Sequence, residues 1–467
     1  MVQFAYVLLF PLMLTVLLSG QETTTQPKPV ATTRAAKDLQ GKDHQNKELE
    51  AKAKKLLEAA EEVRHDVELL AGQKFRKEVE SQVHNEKELA EFLKKKIFEE
   101  ELAGGRLERS QFLLRQIGLI PKDMDLAKEF LDMLVSQVGG FYDPERGKFF
   151  MMLKSAKMGE MANRTVMAHE LTHALDDQLY DLERFSSNKD MSEDEGFATG
   201  SVIEGSATSL MIRWTLVNMN KFDRKEMMES QKEETDKSMK LFDYPEYFQT
   251  IVAKYYIGLN FLTKGEGMRS LMQAGKTGLR SNIERCFKQM PRSSEQILHP
   301  YKYWDKEALD LPVMLVDEKA FEEAQGLQVI GHDTLGELLC GILGKPKRSN
   351  KDKKFLEVRI QLMTQPKYWI HKSGSGWGGD RVFIVGPDKK KPTGLVWLIW
   401  WDKKKDVAEF LAAYKKVGGK GLDYGVTSEG KLCVLTYGSL KGQQDKILAG
   451  ALAAPVQKGK TPFQVED

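Results

Sequence analysis

The chain has 467 residues, of which 41% are hydrophobic, and its 70 basic and 68 acidic side chains give a formal net charge of +2. This length suits two or three globular domains, and the nearly neutral balance provides no electrostatic reason to predict a nucleic-acid partner. Cys286, Cys340 and Cys433 are widely spaced and odd in number, which excludes a disulfide-stapled scaffold and a cysteine zinc cluster.

The first twenty residues, 1–20, predict a targeting segment. An apolar stretch from Phe4 to Leu18 is followed by Ser19-Gly20 and a polar run, which is the pattern of a secretory leader. No basic residue precedes the stretch and no small-x-small cleavage site follows it, so an uncleaved membrane anchor is the alternative, although the stretch is short for a span. Both predictions place the protein outside the cytoplasm, either secreted or in the periplasm or cell envelope.

The next two regions contain no chemical motif. Residues 21–45 are rich in Thr, Pro, Lys and Ala, which predicts a disordered tether. Region 46–122 is predicted to be helical with one strand, because residues 79–83 alternate between apolar and polar side chains. Asn85 and Glu88 then form a capping-box pattern at the start of another helix.

A helix followed by a β-hairpin is predicted upstream of the most informative motif. Apolar residues at four-residue spacing over 123–138 indicate the helix. The sequence Asp143-Pro144-Glu145-Arg146-Gly147 is typical of a turn, and it lies between two short apolar runs. We therefore expect two short antiparallel strands here.

The sequence His169-Glu170-Leu171-Thr172-His173 predicts a metal site. Histidines four positions apart project from one side of a helix, one turn apart, so both imidazoles can reach a single ion. Glu170 is the carboxylate that such a site needs as a general base on a metal-bound water. Apolar residues on both sides of the motif indicate a buried helix rather than a solvated one.

Glu204 is the predicted third ligand of this ion. A catalytic zinc needs three protein ligands and one open position. Glu204 is the only charged residue in 197–212, where small neighbours allow its helix to approach the HELTH helix closely. A lone buried carboxylate is costly unless it binds a metal or is paired. The alternative is a packing glutamate paired with a distant arginine. The acidic residues 193–195 instead indicate a solvated helix start, with Ser192 as the N-cap.

The run VMAHELTHALDD, residues 166–177, resembles the active-site helix of the gluzincins, the thermolysin-type zinc peptidases. EGSAT at Glu204, SSEQILHP at 293–300 and GWGGDR at 376–381 resemble segments of a group of uncharacterised secreted bacterial proteins that share HELTHAL. The resemblance implies an α+β fold, with a mostly helical zincin-like domain at 123–345 that includes a short β-hairpin. It also implies that His169, His173 and Glu204 hold Zn²⁺.

The gluzincin resemblance implies further site residues. A ligating histidine usually donates its second ring N–H to a carboxylate or carbonyl, and Asp177 matches an aspartate of the thermolysin-like run, with Asp176 and Asp194 as alternatives. A distant His or Tyr polarises the substrate carbonyl in gluzincins. His299 is favoured for this role because polar side chains surround it in sequence, and His332 is the alternative. An ordinary structural role is also open for both histidines.

The same resemblance implies a function for the predicted hairpin. Zinc peptidases of this type bind the extended substrate backbone along a strand edge next to the active helix. Here the predicted edge is 149–153, so Phe149 and Met151 are the candidate substrate-binding residues. The alternative is a hairpin that only packs against the helix.

The C-terminal part is predicted to be a separate small α+β domain at 355–455, after a basic loop. Five of the seven tryptophans lie between Trp369 and Trp401. Trp397 and Trp401 share one face of a predicted strand and Trp400 takes the other, so we expect both faces of that strand to be covered. The alternative is an aromatic platform that binds carbohydrate or peptide.

The sequence as a whole predicts a secreted zinc metallopeptidase that acts on a peptide or protein substrate, with Glu170 as the general base. Two alternatives belong to other functional classes. One is a zinc-binding envelope protein without turnover, and the other is an envelope binding module on a zincin scaffold. The intact Glu170 argues against a purely structural metal site, because such a site needs no base.

Overall fold

The fold is α+β and helix-dominated, as predicted, in a computed structural model of the chain. The structure describes residues 7–9, 51, 54–55, 57–188, 190–273, 279–316, 318–346, 353–453 and 457–458. The predicted tether at 21–45, and the leader apart from residues 7–9, lie outside these ranges. Within these ranges, no helix is both long enough and apolar enough to cross a bilayer.

The helices and strands are numbered in chain order. The helices are Ala60–Ala71 (α1), Glu86–Leu93 (α2), Arg106–Ile117 (α3), Leu126–Gln137 (α4), Glu160–Tyr180 (α5), Glu183–Ser186 (α6), Glu193–Asn218 (α7), Arg224–Met239 (α8), Glu246–Leu262 (α9), Met268–Gln273 (α10), Arg280–Lys288 (α11), Ser294–Leu298 (α12), Tyr301–Trp304 (α13), Glu318–Gln325 (α14), Gly336–Gly344 (α15), Lys353–Met363 (α16), Pro366–Trp369 (α17), Lys404–Lys416 (α18) and Gln444–Ala453 (α19). The strands are Val7–Leu9 (β1), Glu80–His84 (β2), Val138–Asp143 (β3), Lys148–Met152 (β4), Val313–Met314 (β5), Val329–Asp333 (β6), Trp377–Val385 (β7), Gly394–Trp401 (β8), Tyr424–Glu429 (β9), Leu432–Gly438 (β10) and Gln457–Lys458 (β11).

A four-stranded sheet of order β1-β3-β4-β2 precedes the HELTH helix, α5. Strands β3 and β4 form the antiparallel hairpin that the turn sequence predicts, and β2 pairs in parallel with β4. Because β2 belongs to the predicted N-terminal region 46–122, that region is not an independent unit. Its strand completes the sheet that packs beside the HELTH helix.

Helix α7 is the centre of the helical part and packs along both α5 and α9. The crossing with α9 is so close that side chains are excluded from it. A Cβ atom built on Gly258 would lie 1.9 Å from the backbone oxygen of Ser201, and one built on Gly205 would lie 2.5 Å from the backbone carbon of Gly258. The small residues around Glu204 therefore allow close packing, but the helix crossed here is α9, whereas the sequence predicts the HELTH helix.

We expect Gly258→Ala to destabilise the protein, although alanine is the better helix former. The added methyl group would meet backbone atoms, which cannot rotate away, and overpacking of this kind costs about 1–3 kcal/mol, more than the gain of about 1 kcal/mol in helix propensity. Urea denaturation measures the effect. The control is Gly341→Ala in α15, where the nearest atom to the new Cβ lies 3.6 Å away. Equal stability of the two variants would contradict the argument.

The C-terminal sheet has the strand order β6-β7-β8-β10-β9, and all of its neighbouring strands are antiparallel. Helix α18 covers one face, where Trp397 and Trp401 are buried against Phe410. Helices α14 and α19 cover the other face, on which Trp400 is half-buried. The prediction of a strand covered on both faces is confirmed, and burial leaves these two tryptophans no surface for an aromatic platform. The predicted boundary at residue 355 is wrong, because β6 joins this sheet from residues 329–333.

Candidate metal centre

His169 and His173 lie one turn apart on the buried side of α5, as the four-residue spacing predicts. Their Nε2 atoms are 3.0 Å apart. Both side chains are fully buried, because α7 covers this stretch of α5 and the sheet covers its neighbours. Two imidazole nitrogens that face each other at this distance inside a protein need a shared ion or a shared proton.

Glu204 completes the cluster from the middle of α7. Its Oε2 atom lies 3.1 Å from Nε2 of His169 and 3.4 Å from Nε2 of His173. Three ligands bound at about 2.0–2.1 Å in tetrahedral geometry stand about 3.3 Å apart, so the observed separations suit one zinc ion. Among the described residues these three form a group that could hold a metal. The predicted ligand set is therefore brought together by the fold.

Glu170 follows His169 on the same helix and is fully buried. Burial raises the pKa of Glu170 well above its ordinary value, the charge of Glu204 raises it further, and the backbone amide of Tyr142 in β3 lowers it in part. A carboxylate of raised pKa is a stronger proton acceptor than an exposed glutamate. That is the property required of a general base.

Burial also holds both ligand histidines in their neutral form. It lowers the pKa of His169 to about 4 and that of His173 to about 3. Neutral imidazole is the form that binds metal ions. The site is thus ready for a cation across the whole neutral range.

We expect metal-free protein to lose stability when the pH falls below about 6.5. In the window from about pH 6.5 to 4, an unfolded chain protonates both histidines while the folded chain does not, so the free energy of unfolding falls as the pH drops. Urea denaturation in chelator across this window measures the slope. A His169→Gln/His173→Gln double variant should show a shallower slope, by up to two protons. Identical slopes in the two proteins would contradict the histidine pKa values.

Tyr255 of α9 is a site residue that sequence analysis missed. Its ring stacks on His169, with centroids 5.6 Å apart, and its hydroxyl group hydrogen-bonds to Glu204 and lowers the pKa of that carboxyl group. The neighbouring Lys254 is also buried and lowers the same pKa by its charge. A tyrosine within a helical apolar run belongs to no motif, so only the packing of α9 against α7 reveals it.

Asp177 is predicted to accept a hydrogen bond from a ligand histidine, but its observed partners are different residues. Asp177 accepts hydrogen bonds from the hydroxyl group of Tyr142, at 2.7 Å, and from the amide of Leu182, at 2.9 Å. Asp176 accepts one from Ser206 at 2.6 Å. Both carboxylates tie α5 to its neighbours, and within the described residues Nδ1 of His169 has no hydrogen-bond partner.

Asp194 is not part of the ligand cluster either, because it lies at the start of α7, ten residues before Glu204. Its carboxylate accepts a hydrogen bond from the amide of Ser294 at 2.8 Å, and its own amide donates to the carbonyl of Thr334 at 3.0 Å. The N-cap role predicted for Ser192 is confirmed, and Glu195 completes a capping box with it. The prediction that this helix start is solvated is wrong for Asp194, which is 1% exposed.

The two histidines proposed to polarise a substrate carbonyl both contact carboxylates other than the metal ligand Glu204. Nε2 of His299 lies 3.0 Å from the carboxylate of Glu337, and Nδ1 of His332 lies 2.6 Å from that of Glu318. His299 follows the short helix α12, which packs against the beginning of α7. The catalytic role predicted for His299 is therefore not supported, and the structural alternative describes both residues.

Phe149 and Met151 do not form a sheet edge. They lie in β4, which pairs with β3 on one side and β2 on the other, because a distant strand fills the side that the local sequence leaves open. Both are fully buried and pack with Met167 and Leu171 of the HELTH helix. The other edge of β3 is paired with β1 in antiparallel orientation, Leu8 opposite Gly140.

A cavity of about 840 Å³ opens beside the turn between β3 and β4. It is bounded by β3, α3, β6 and the chain between α6 and α7, and acidic side chains predominate in its lining. Tyr142 contributes to this lining and also approaches Glu170 through its backbone. The three metal ligands do not line the cavity.

Comparison with known families matches residues 325–442 to a domain of unknown function, DUF8575. The matched segment begins before β6 and ends after β10, so it contains the C-terminal sheet and α15 to α18, whereas α19 and all of α14 except Gln325 lie outside it. No curated protein matches the chain. No solved structure matches it either. The HELTH helix and α7 lie outside the matched segment, so the metal centre is supported by its own geometry.

Proposed function

We propose that the protein is a zinc-dependent peptidase whose metal is held by His169, His173 and Glu204. One observation carries the proposal: three ligand atoms from two separate helices lie 3.0–3.4 Å apart in a buried site, and the residue adjacent to the first ligand is a carboxylate of raised pKa. A structural zinc site commonly has four protein ligands and needs no such carboxylate.

Zinc at this position supplies a Lewis acid for a substrate carbonyl and makes water more acidic. The chain supplies the remaining functions. Glu170 takes a proton from the attacking water and passes it to the leaving amine, so one carboxylate acts first as base and then as acid. Tyr255 holds Glu204 by its hydroxyl group and fixes the ring of His169 by stacking.

The outer edge of β3 is the proposed binding place of an extended peptide. It pairs with β1 through Val7 opposite Phe141 and Leu8 opposite Gly140, and β1 also lies against α5. An apolar segment can therefore run antiparallel to β3 next to the metal centre. Residues 7–9 belong to the predicted leader, so its removal during secretion would free this edge for substrate. Secretion or retention in the cell envelope is part of the proposal.

A zinc-binding protein without turnover is the second candidate, and one observation favours it. His169, Glu170 and His173 are all fully buried in the full-length chain. Hydrolysis needs a path for substrate to these residues, and a permanently closed site would bind metal only. The two candidates differ in whether the protein hydrolyses peptides once residues 1–20 have been removed.

The test compares the full chain with a chain that starts at residue 21. Zinc content is measured by elemental analysis, and turnover is measured with a peptide library, with and without chelator. We expect stoichiometric zinc in both chains, and turnover in the shorter chain that chelator removes and added zinc restores. Zinc without turnover in either chain would favour the second candidate. Absence of zinc in both would overturn the metal centre.

A further inference from the structure

The C-terminal unit has a charge unlike that of the rest of the protein. Residues 325–442 contain 21 lysines and arginines against 11 aspartates and glutamates, whereas the rest of the chain contains 49 against 57. A near-neutral protein is thus composed of an acidic part and a strongly basic part. A basic domain is attracted to anionic surfaces, independently of any catalytic site.

Seven of the 18 lysines of this unit lie at one end of its sheet, here called the lysine end. It comprises the turn between β7 and β8, the chain around the end of α18 and the turn after β10. Hydrogen bonds and an ion pair join the three segments: the amide of Ser439 donates to the carbonyl of Thr393 at 2.9 Å, and Lys441 pairs with Asp423. The lysines of the lysine end are Lys389, Lys390, Lys391, Lys415, Lys416, Lys420 and Lys441.

Most of this positive charge is uncompensated. All seven side chains are exposed. The two carboxylates within these three segments are already paired, Asp388 with Lys391 and Asp423 with Lys441. The other five lysines make no ion pair within the described residues. Arg109 of α3 adds a further cation, because its guanidinium donates to the backbone oxygen of Lys389 at 2.9 Å.

The side chains around the lysine end favour binding to a broad anionic surface over binding to single-stranded nucleic acid. Single-stranded nucleic acid is bound by exposed aromatic rings on which bases stack, but Trp397 and Trp401 are buried and Tyr424 packs against Tyr414 and Tyr437. Lysines act as mobile point charges rather than as rigid two-pronged donors. Clusters of four to eight basic residues beside a membrane-spanning helix or on an amphipathic helix bind acidic lipids by such point charges, and the lysine end has a number of cations in the same range.

We propose that the lysine end docks onto the surface of a membrane that contains anionic phospholipid. The C-terminal unit then acts as a peripheral membrane-binding module that keeps the protein at the bilayer after its leader is gone. This role is independent of the proposed hydrolysis. Each lysine near an anionic surface strengthens partitioning by about fivefold at low ionic strength, so five uncompensated lysines suffice for reversible adhesion.

The test is co-sedimentation of the full chain with vesicles of phosphatidylglycerol mixed with phosphatidylcholine, and with vesicles of phosphatidylcholine alone. The second lipid reports any contribution of the apolar N-terminal segment. The test variant replaces Lys389, Lys390, Lys415, Lys416 and Lys420 with glutamine. The control variant makes the same change of charge elsewhere on the surface, at Lys225, Lys319, Lys404, Lys405 and Lys431. Melting temperatures of the two variants verify that both are folded.

We expect the wild-type chain to bind the anionic vesicles more strongly than the neutral ones, and salt to weaken this binding. The lysine-end variant should bind anionic vesicles at least about tenfold more weakly, with the control variant close to wild type. Equal loss in both variants would show that only net charge matters and would overturn the proposal. Equal binding to both lipids would overturn it too, as would tighter binding to a single-stranded polynucleotide than to vesicles.

Discussion

Replacing Glu170 with glutamine is expected to abolish peptide turnover while the protein keeps its zinc. Glutamine preserves the size of the side chain but has no basic oxygen, and loss of a general base typically lowers the rate by about 10²–10⁴. Zinc content is measured by elemental analysis and turnover with the best substrate from the peptide library. Activity close to wild type would show that Glu170 is not the base.

The same variant carries its own control for folding. Glu170 is fully buried, and burial raises its pKa well above the ordinary value. Removing this carboxyl group should therefore leave the melting temperature of metal-free protein unchanged or raise it, because a buried charge is unfavourable without a partner. A lower melting temperature together with lost zinc would point to a structural defect, and the His169→Gln and His173→Gln variants would then provide the comparison.

Replacing Glu204 with alanine is expected to remove most of the zinc affinity. Two imidazoles alone leave the ion half-coordinated, so elemental analysis after dialysis should find little metal. The melting temperature should fall more in the presence of zinc than in chelator. The zinc-bound protein loses a metal bond, whereas the metal-free protein loses only a buried carboxylate of raised pKa.

The matched control for Glu204 is Glu195→Ala, nearer the start of the same helix. Glu195 closes the capping box with Ser192 and pairs with Arg292 at 2.9 Å, so its loss should affect stability and leave zinc content unchanged. If the Glu195 variant loses its metal while the Glu204 variant retains it, the third ligand is wrongly assigned.

The positions of site residues that follow from local sequence agree with the structure. The spacing of His169 and His173 fixes their common side on any helix. Glu204 could be found because a single charge among small and apolar residues indicates a buried role, and the structure places it 3.1 Å from His169. The capping box at Asn85 and the N-cap at Ser192 depend only on neighbouring residues and are likewise confirmed.

The predictions that disagree with the structure depend on contacts between distant segments. Whether Phe149 lies at an edge depends on β2, which arrives from residues 80–84 and pairs with β4 in parallel. The partner of His299 is Glu337, 38 positions away, and Tyr255 meets His169 only because α9 crosses α7 closely. Sequence periodicity describes which face of an element is buried, but it does not identify the element that buries it.

The join between α7 and the DUF8575-matched segment has a consequence for anyone who cuts or recombines this gene. The first amides of α7 donate to residues of that segment: Glu193 to the carboxylate of Asp333 at 2.7 Å, and Asp194 to the carbonyl of Thr334 at 3.0 Å. A Cβ atom at Gly336 would also clash with Asp194. The start of the ligand-bearing helix is thus held by residues that lie more than a hundred positions later in the sequence. A fragment that ends before residue 330 would leave those amides without acceptors, so transplanting the HELTH region into another protein requires both halves.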